Sequence, residues 1–198
     1  MRHIICKQTG LQPLQDHWNP CPTRTSKALK FYIDTLKPLI VENSSQSLDG
    51  QHGIDTHTIS VVFRGIDYAL HMGYEPTPVV FACAFHDMAR THDDFDTEHG
   101  KHAIPKAIKI MKQFPGLLDQ ATCFSILYAI MNHTTGQIAP DYISACLWDA
   151  DRTRLAWKYG FDKKFFNTGR GKYVAQHCKK YLAFQRTAFP RFNWSKQY

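Results

Sequence analysis

Apolar residues recur along this chain with the period of an α-helix, and no stretch shows a convincing strand pattern. The first such segment covers residues 25–41, where one stripe consists of Leu29, Tyr32, Ile33, Leu36 and Ile40. A polar stretch, residues 43–47, separates this helix from the next apolar pattern. We therefore expect residues 1–50 to form an accessory segment with a linker, and residues 51–198 to form the main domain.

The second helix is predicted to begin near Asp55 and to end at Gly73. Its apolar positions follow the i, i+3, i+4, i+7 spacing and are Ile59, Val62, Phe63, Ile66, Ala69 and Leu70. His57 falls on the opposite face, where periodicity alone would leave it as a lone surface histidine. If His57 has a function, other elements must contact this helix on both sides, and that is the arrangement we expect.

The third pattern is apolar on every face and predicts a central buried helix. Residues 79–85 read VVFACAF, and the pair His86-Asp87 follows directly. An unpaired buried carboxylate is strongly destabilising, and the partial negative charge at a helix C-terminus favours a cation. We expect this pair to have polar or cationic partners, the alternative being a satisfied core histidine beside a solvated aspartate.

Two further histidines follow in the next segments. Residues 90–96 are too charged for a core segment, and His99-Gly100 then opens a helix that reaches Met111. The next predicted helix delivers His133 at its end. Both histidines come after the His-Asp pair and before the acidic helix that follows.

The helix predicted over residues 141–157 carries two aspartates that are not equivalent. Asp151 lies on the apolar stripe of this helix, whereas Asp149 turns away from it, so we expect Asp151 to be the buried carboxylate and the ligand. A last helical pattern covers residues 173–189. The sequence as a whole predicts an all-α protein, in which a helical bundle carries an accessory N-terminal helix and a C-terminal helical extension.

Length, charge and hydropathy agree with one soluble domain. The 198 residues suffice for one buried core, and the formal charge of +7 is dispersed although the C-terminal third is distinctly basic. The positive charge favours anionic ligands by electrostatic steering, unless the basic side chains form only a solvated surface.

No apolar run reaches the roughly 18–20 residues that span a bilayer, and the first residues lack the apolar stretch of a signal peptide. We expect a cytoplasmic protein with no membrane partner and leave its oligomeric state open.

His57, His86, Asp87 and Asp151 could share one divalent cation. Imidazole nitrogen and carboxylate oxygen suit borderline and hard cations, namely Mn, Fe, Co, Ni, Zn or Mg. These four residue types therefore point to a hydrolytic metal site before any fold is assumed.

These residues and their flanking motifs resemble the HD-domain superfamily of metal-dependent phosphohydrolases. The matching segments are HGIDTH at 52–57, FHDMAR at 85–90, HG at 99–100, NH at 132–133 and LWDADR at 147–152. The resemblance covers residues 51–157 and implies that His57, His86, Asp87 and Asp151 bind the primary metal. Where the superfamily usually has Arg-Val at the third and fourth positions after the first histidine, this chain has Ser60-Val61.

The resemblance also implies a second metal ion. The chain looks like a branch of small bacterial HD proteins, and in two-metal branches the additional histidines bind the second ion while the aspartate of the His-Asp pair bridges. His99 and His133 are the matching histidines here. The features of the cyclic-dinucleotide phosphodiesterases are missing, because Thr134 follows His133 and no Gly-Tyr-Pro motif is present.

A phosphohydrolase acting on a small phosphorylated metabolite is the predicted function, with a nucleotide as the expected class. Arg90 and Arg152 are candidate phosphate clamps, since a guanidinium presents a planar fork of donors to phosphate oxygens. Asp93, or its neighbours Asp94 and Asp96, could act as a general acid or base.

Two alternative functions remain open, and other residues have smaller expected roles. Some HD proteins use the same six ligands for diiron oxygenase chemistry, and a non-catalytic nucleotide or metal sensor would bind without turnover. His52 and His92 lie near ligands in the sequence and could hold them in place.

Long duplex nucleic acid is not an expected substrate, because no basic recognition helix or aromatic stacking platform is evident.

Overall fold

The structure is a computed structural model that describes residues 22–188, and these residues form helices with no strand among them. The α-helices are α1 (Pro22–Phe31), α2 (Lys37–Asn43), α3 (Ile59–His71), α4 (Thr77–Phe85), α5 (His99–Met111), α6 (Gln120–Met131), α7 (Tyr142–Tyr159), α8 (Gly169–Gln176) and α9 (Cys178–Ala188). Two π-helical turns, Tyr32–Leu36 and Ile54–Thr58, precede α2 and α3, and a 3-10 turn covers Lys163–Phe165. The all-α class is confirmed. Within the described part of the chain, no helix has both the length and the apolar character required to cross a membrane.

Helix α4 lies at the centre of the bundle. It packs against α3, α6 and α7, and every side chain from Val79 to Phe85 is fully buried. A helix that is apolar on every face can bury all of its surface only when neighbours surround it, as they do here. His86 and Asp87, which follow α4 directly, are therefore carried into the interior of the protein.

The N-terminal helices belong to the same core as α3 and α4. Leu29, Tyr32, Leu36 and Ile40 are all buried within it, because their spacing of three or four residues places them on one side of the chain. Buried residues from both sides of the predicted boundary at residue 50 therefore share one core. The first 21 residues of the predicted accessory segment lie outside the described residues.

Helix α3 is buried from its first residue to Leu70. All residues from Ile59 to Leu70 are buried, since α1 and α4 pack against the helix together with α7. The expectation of a helix contacted on both sides is confirmed. Its polar side chains have partners in the interior, as shown by Arg64, whose Nε donates to the Ala150 carbonyl oxygen at 2.7 Å and ties α3 to α7.

The C-terminal pattern forms two helices where one was predicted. Helix α8 begins at Gly169 after Thr168, whose hydroxyl accepts a hydrogen bond from the Gly171 amide at 2.7 Å. The helix ends at Gln176, and α9 begins after the single non-helical residue His177. Phe189, the end of the predicted helix, lies outside the described residues.

A buried ion pair joins these C-terminal helices to α3. Asp67 accepts hydrogen bonds from Arg170 Nε at 3.0 Å and from the Tyr181 hydroxyl at 2.9 Å. The Arg170 and Asp67 side chains are only 6 % and 2 % exposed. Arg170 is therefore part of the core and does not contribute to a solvated basic surface.

Breaking this pair should destabilise the protein strongly. Arg170→Met leaves Asp67 buried without its cation, so the free energy of unfolding should fall by about 3–5 kcal/mol. Urea unfolding followed by circular dichroism measures the change. Glu98→Gln, which removes only an exposed ion pair with Lys101, is the matched control and should have little effect. Equal effects of the two variants would show that the buried pair does not stabilise the fold.

Candidate metal centre

Three elements bring the first group of ligands together. His57 lies in the π-helical turn before α3, His86 and Asp87 follow α4, and Asp151 lies within α7. His57 Nε2 is 3.0 Å from Asp151 Oδ1 and 3.2 Å from His86 Nε2, and His86 Nε2 is 3.4 Å from Asp87 Oδ2. Ligand atoms bound to one cation at about 2.0–2.2 Å lie roughly 3–3.5 Å from one another. His57, His86 and Asp151 have ligand atoms within 4.8 Å of one another and could hold one ion, with Asp87 beside them at 3.7 Å from His57.

The second group consists of His99, His133 and the other oxygen of Asp87. His99 opens α5 and His133 follows α6, so the contact between these two helices brings the rings together. His99 Nε2 is 2.9 Å from Asp87 Oδ1, and His133 Nε2 is 3.7 Å from the same oxygen. The structure thus brings all six predicted ligand side chains into one cluster.

Asp87 is the residue that the two groups share. Its Oδ2 faces His57 at 3.7 Å, while its Oδ1 faces His99 and His133. The carboxylate is 3 % exposed. A carboxylate in this position can bridge two cations, with one oxygen for each.

The histidine rings are oriented to present Nε2 to a cation. Nδ1 of His86, His99 and His133 lies 2.7–2.8 Å from the backbone carbonyl oxygen three residues earlier in the chain. A carbonyl oxygen can only accept a hydrogen bond, so each Nδ1 carries the proton and each neutral ring has its lone pair at Nε2. Metal-binding histidines are commonly held in this way, by a hydrogen bond at the second ring nitrogen.

The contact between His99 and His133 requires positive charge. Their Nε2 atoms are 2.8 Å apart, and two lone pairs facing each other at this distance repel unless a proton or a metal ion lies between them. Burial opposes protonation of His133, but the hydrogen bond to Asp87 and the nearby carboxylates outweigh this effect and raise the pKa of His133. A metal ion bound here would displace that proton.

The other ionisable side chains favour ligand-competent protonation states at neutral pH. Burial lowers the pKa of His57 and lowers that of His86 to about 4, so both rings are neutral. Burial opposes ionisation of Asp87, but the neighbouring imidazoles, above all His86, hold its pKa well below the usual range. The pKa of Asp151 is also lowered, because the His57 contact outweighs burial. Ionised carboxylates and neutral imidazoles are the forms that bind divalent cations.

Gly100 allows α5 to approach α6 at the second group. A Cβ at this position would lie 2.4 Å from the Ile130 carbonyl oxygen and 2.9 Å from His133 Nδ1. The same carbonyl oxygen accepts the hydrogen bond that orients His133. The glycine after His99 is therefore required by close packing against the ring of its partner ligand.

The two aspartates of α7 have the opposite exposures to those predicted. Asp149 is fully buried, and its carboxylate accepts hydrogen bonds from the Asn167 and Thr168 amides at 2.8 Å and 2.7 Å. Burial raises the pKa of Asp149. Asp151 is the more exposed side chain, at 23 %, yet it is the one that contacts His57. Periodicity within α7 could not predict that Asp149 is buried, because the backbone amides that it binds belong to residues 167–168, outside this helix.

Arg152, predicted as a phosphate clamp, is engaged with the backbone. Its guanidinium donates to the Phe165 and His133 carbonyl oxygens at 3.1 Å and 3.3 Å, donates also to the Gly136 carbonyl oxygen, and stacks on Trp148. These contacts fit a structural role in holding the loop after His133. Arg90, the other predicted phosphate clamp, lies beside the cluster, with its Nε 3.7 Å from Asp87 Oδ1.

The acidic loop supports the site through backbone contacts. Asp93, predicted as a general acid or base, accepts hydrogen bonds from the Gln51 and His52 amides at 3.1 Å and 3.0 Å. Asp96 accepts from the His99 amide at 3.2 Å, and its backbone oxygen orients the His99 ring. These contacts fit a role in which Asp93 and Asp96 position the backbone around His52 and His99, and they do not suggest that either carboxylate transfers a proton.

His52 reaches the cluster although no ligand role was predicted for it. Its Nδ1 lies 3.3 Å from Asp87 Oδ2, and ligand atoms of His52, His57 and Asp87 lie within 4.8 Å of one another. The sequence placed His52 only near a ligand. Its position five residues before His57, within a glycine-containing turn, was the available signal, but the direction of the turn depends on Asp93.

Comparison of the chain with protein-family models, curated proteins and solved structures finds no match in any of the three. The likeness to the HD superfamily therefore rests on the order and spacing of the chain's own ligand residues. Any function assigned to the chain has to rest on the geometry of those residues.

Substitution of a ligand in one group should remove the metal ion of that group and leave the ion of the other group bound. Asp87→Ala should remove both ions, because each oxygen of Asp87 serves one group. His133→Ala should remove only the second ion and Asp151→Ala only the first. Elemental analysis after metal loading and desalting measures the ratio of metal to protein, with circular dichroism as the check on folding. Wild-type metal content in all three variants would contradict the two-site assignment.

Gly100→Ala should lower the occupancy of the second site while leaving the first site filled. The added methyl group displaces either the Ile130 carbonyl or the His133 ring, so the two Nε2 atoms separate. Gly169→Ala is a matched control, since no atom lies within 4 Å of the Cβ it would add. If Gly100→Ala keeps the full metal content of the control, the close approach at Gly100 is not needed for metal binding.

Proposed function

We propose that this protein is a metal-dependent phosphohydrolase of the HD type with a two-metal centre. The observation that carries the proposal is the position of Asp87, with one oxygen towards each of two groups of histidine ligands. Paired cations about 3.5–4 Å apart, bridged by a shared ligand, are a recurring arrangement in enzymes that hydrolyse phosphate esters.

The chain's residues supply position and charge for such a reaction. Cations bound here would polarise phosphate oxygens and lower the pKa of a water molecule, which is the chemistry that phosphoester hydrolysis needs. His86, His99 and His133 are held by backbone carbonyls, so their Nε2 atoms need little rearrangement to bind. Arg90 brings a fixed positive charge to the edge of the cluster, where it can attract an anionic substrate.

The burial of the ligands supports a small substrate. His57, His86, Asp87 and His99 are each at most 3 % exposed. A rigid duplex cannot bring its backbone phosphates to atoms at this depth, so we propose a small phosphorylated metabolite as the substrate and exclude long duplex nucleic acid.

A diiron oxygenase is the second candidate, and the nitrogen-rich ligand set favours it. The six predicted ligands comprise four imidazoles and two carboxylates, and imidazole suits iron as well as zinc. Within the second group, the only carboxylate is the shared Asp87. We prefer hydrolysis because the guanidinium of Arg90 lies beside the cluster, where it can attract an anionic substrate, and because the chain carries a net positive charge.

Turnover assays after metal loading separate these functions. The metal-free protein is reconstituted with Mn, Fe, Co, Ni, Zn or Mg, and phosphate release is measured across a panel of phosphoesters while oxygen uptake is recorded. We expect metal-dependent phosphate release that Asp87→Ala abolishes. Oxygen consumption with iron and no phosphate release would support the oxygenase, whereas tight ligand binding without either activity would indicate a sensor.

A further inference from the structure

A small polar cavity adjoins the cluster on the side of His52 and Arg90. It has a volume of about 210 Å³ and is lined by Ser45, Gln46, Ser47, His52, Arg90, Thr91, His92 and Asp93. His52 and Arg90 connect the cavity to the cluster. His52 Nδ1 is 3.3 Å from one oxygen of Asp87 and Arg90 Nε is 3.7 Å from the other, so the two side chains flank the shared carboxylate.

The nitrogens that flank Asp87 lack hydrogen bonds. His52 Nδ1 and Arg90 Nε are buried atoms that make no hydrogen bond of good geometry, and their nearest acceptors are the two oxygens of Asp87. Arg90 Nη1 donates to the Asp94 carbonyl oxygen at 3.1 Å, and the Arg90 side chain is only 11 % exposed. Buried donors are nearly always hydrogen-bonded, so the acceptor oxygens of a ligand in the cavity would complete the partners of these two side chains.

The cavity wall is held in place before any ligand binds. The Asp93 carboxylate accepts the His52 amide hydrogen at 3.0 Å, and Gln46 Nε2 donates to the His52 carbonyl oxygen. Ser45, which also lines the cavity, accepts a hydrogen bond from Lys106 Nζ at 2.6 Å. A preformed wall that contains a buried arginine is suited to an anion.

The size and lining of the cavity restrict what it can bind. Its volume is below the range of about 300–1,000 Å³ that is usual for drug-sized ligands. None of its described lining residues is Phe, Tyr or Trp, on which a nucleobase could stack. A larger cavity of about 470 Å³ lies at the C-terminal end of α7. Neither His52 nor Arg90, the side chains that contact Asp87, lines it, and Arg152 there is engaged with the backbone.

From these observations we infer that the 210 Å³ cavity binds the phosphate group of a small, polar phosphomonoester, and that His52 and Arg90 hold this group against Asp87 and its ions. A nucleotide is then not the preferred substrate, in contrast to the expectation from the sequence. The inference rests on the proposed hydrolytic function for the identity of the ester. The anion site itself can be tested without turnover.

The test compares inorganic phosphate binding with turnover in the metal-loaded protein. Calorimetry should show phosphate binding that weakens about 10- to 100-fold in Arg90→Ala and recovers in part in Arg90→Lys, while metal content stays unchanged. Arg24→Ala, which removes an exposed arginine paired with Glu75, should bind phosphate normally. Phosphoesters of two or three carbons should have a higher kcat/KM than nucleoside monophosphates.

Two obstructing variants identify the cavity directly. Thr91→Phe fills the rim of the small cavity and should lower both phosphate affinity and turnover at least 10-fold, whereas Gln137→Phe in the larger cavity should change neither. The reverse result, or a preference for nucleotides, would overturn the inference while leaving hydrolysis in place. Phosphate binding that depends on Arg90 in a protein that hydrolyses no ester would instead keep the anion site and refute the proposed function.

Discussion

The interaction on which this structure depends is the contact of one buried carboxylate with imidazoles on both of its sides. Asp87 follows the central helix α4 and is itself buried, so an ionised side chain there is costly unless positive charge or hydrogen-bond donors surround it. The raised pKa of His133 allows its ring to donate to Asp87, and cations bound at the other imidazoles would provide the remaining charge. Most of the surrounding polar contacts can be understood as holding these rings at Asp87.

The helices bring the ligands together by ordinary packing. Helix α4 is apolar on every face, so it is driven to the centre and carries His86 and Asp87 with it. The contact of α5 with α6 brings His99 to His133, and Gly100 lets these helices approach closely enough for the two rings to meet. Backbone carbonyls at the ends of α4 and α6 accept the Nδ1 protons of His86 and His133.

The sequence predicted the helical class, the central helix and the six residues that cluster, because these depend on local periodicity and on motif order. It could not predict contacts that depend on distant loops. Asp149 was assigned the exposed position because the amides of residues 167–168 that bury it lie in another segment. Arg152 was assigned to phosphate for the same reason, and His52 depends on Asp93, which lies 41 residues later in the chain.

The position of bound metal ions is the most direct test of the role given to Asp87. Anomalous diffraction from crystals loaded with manganese or iron should show two peaks on opposite sides of the Asp87 carboxylate, about 3.5–4 Å apart. One peak should lie among His57, His86 and Asp151, and the other between His99 and His133. A single peak that leaves one of these groups without metal, or ions bound away from Asp87, would contradict the two-metal centre.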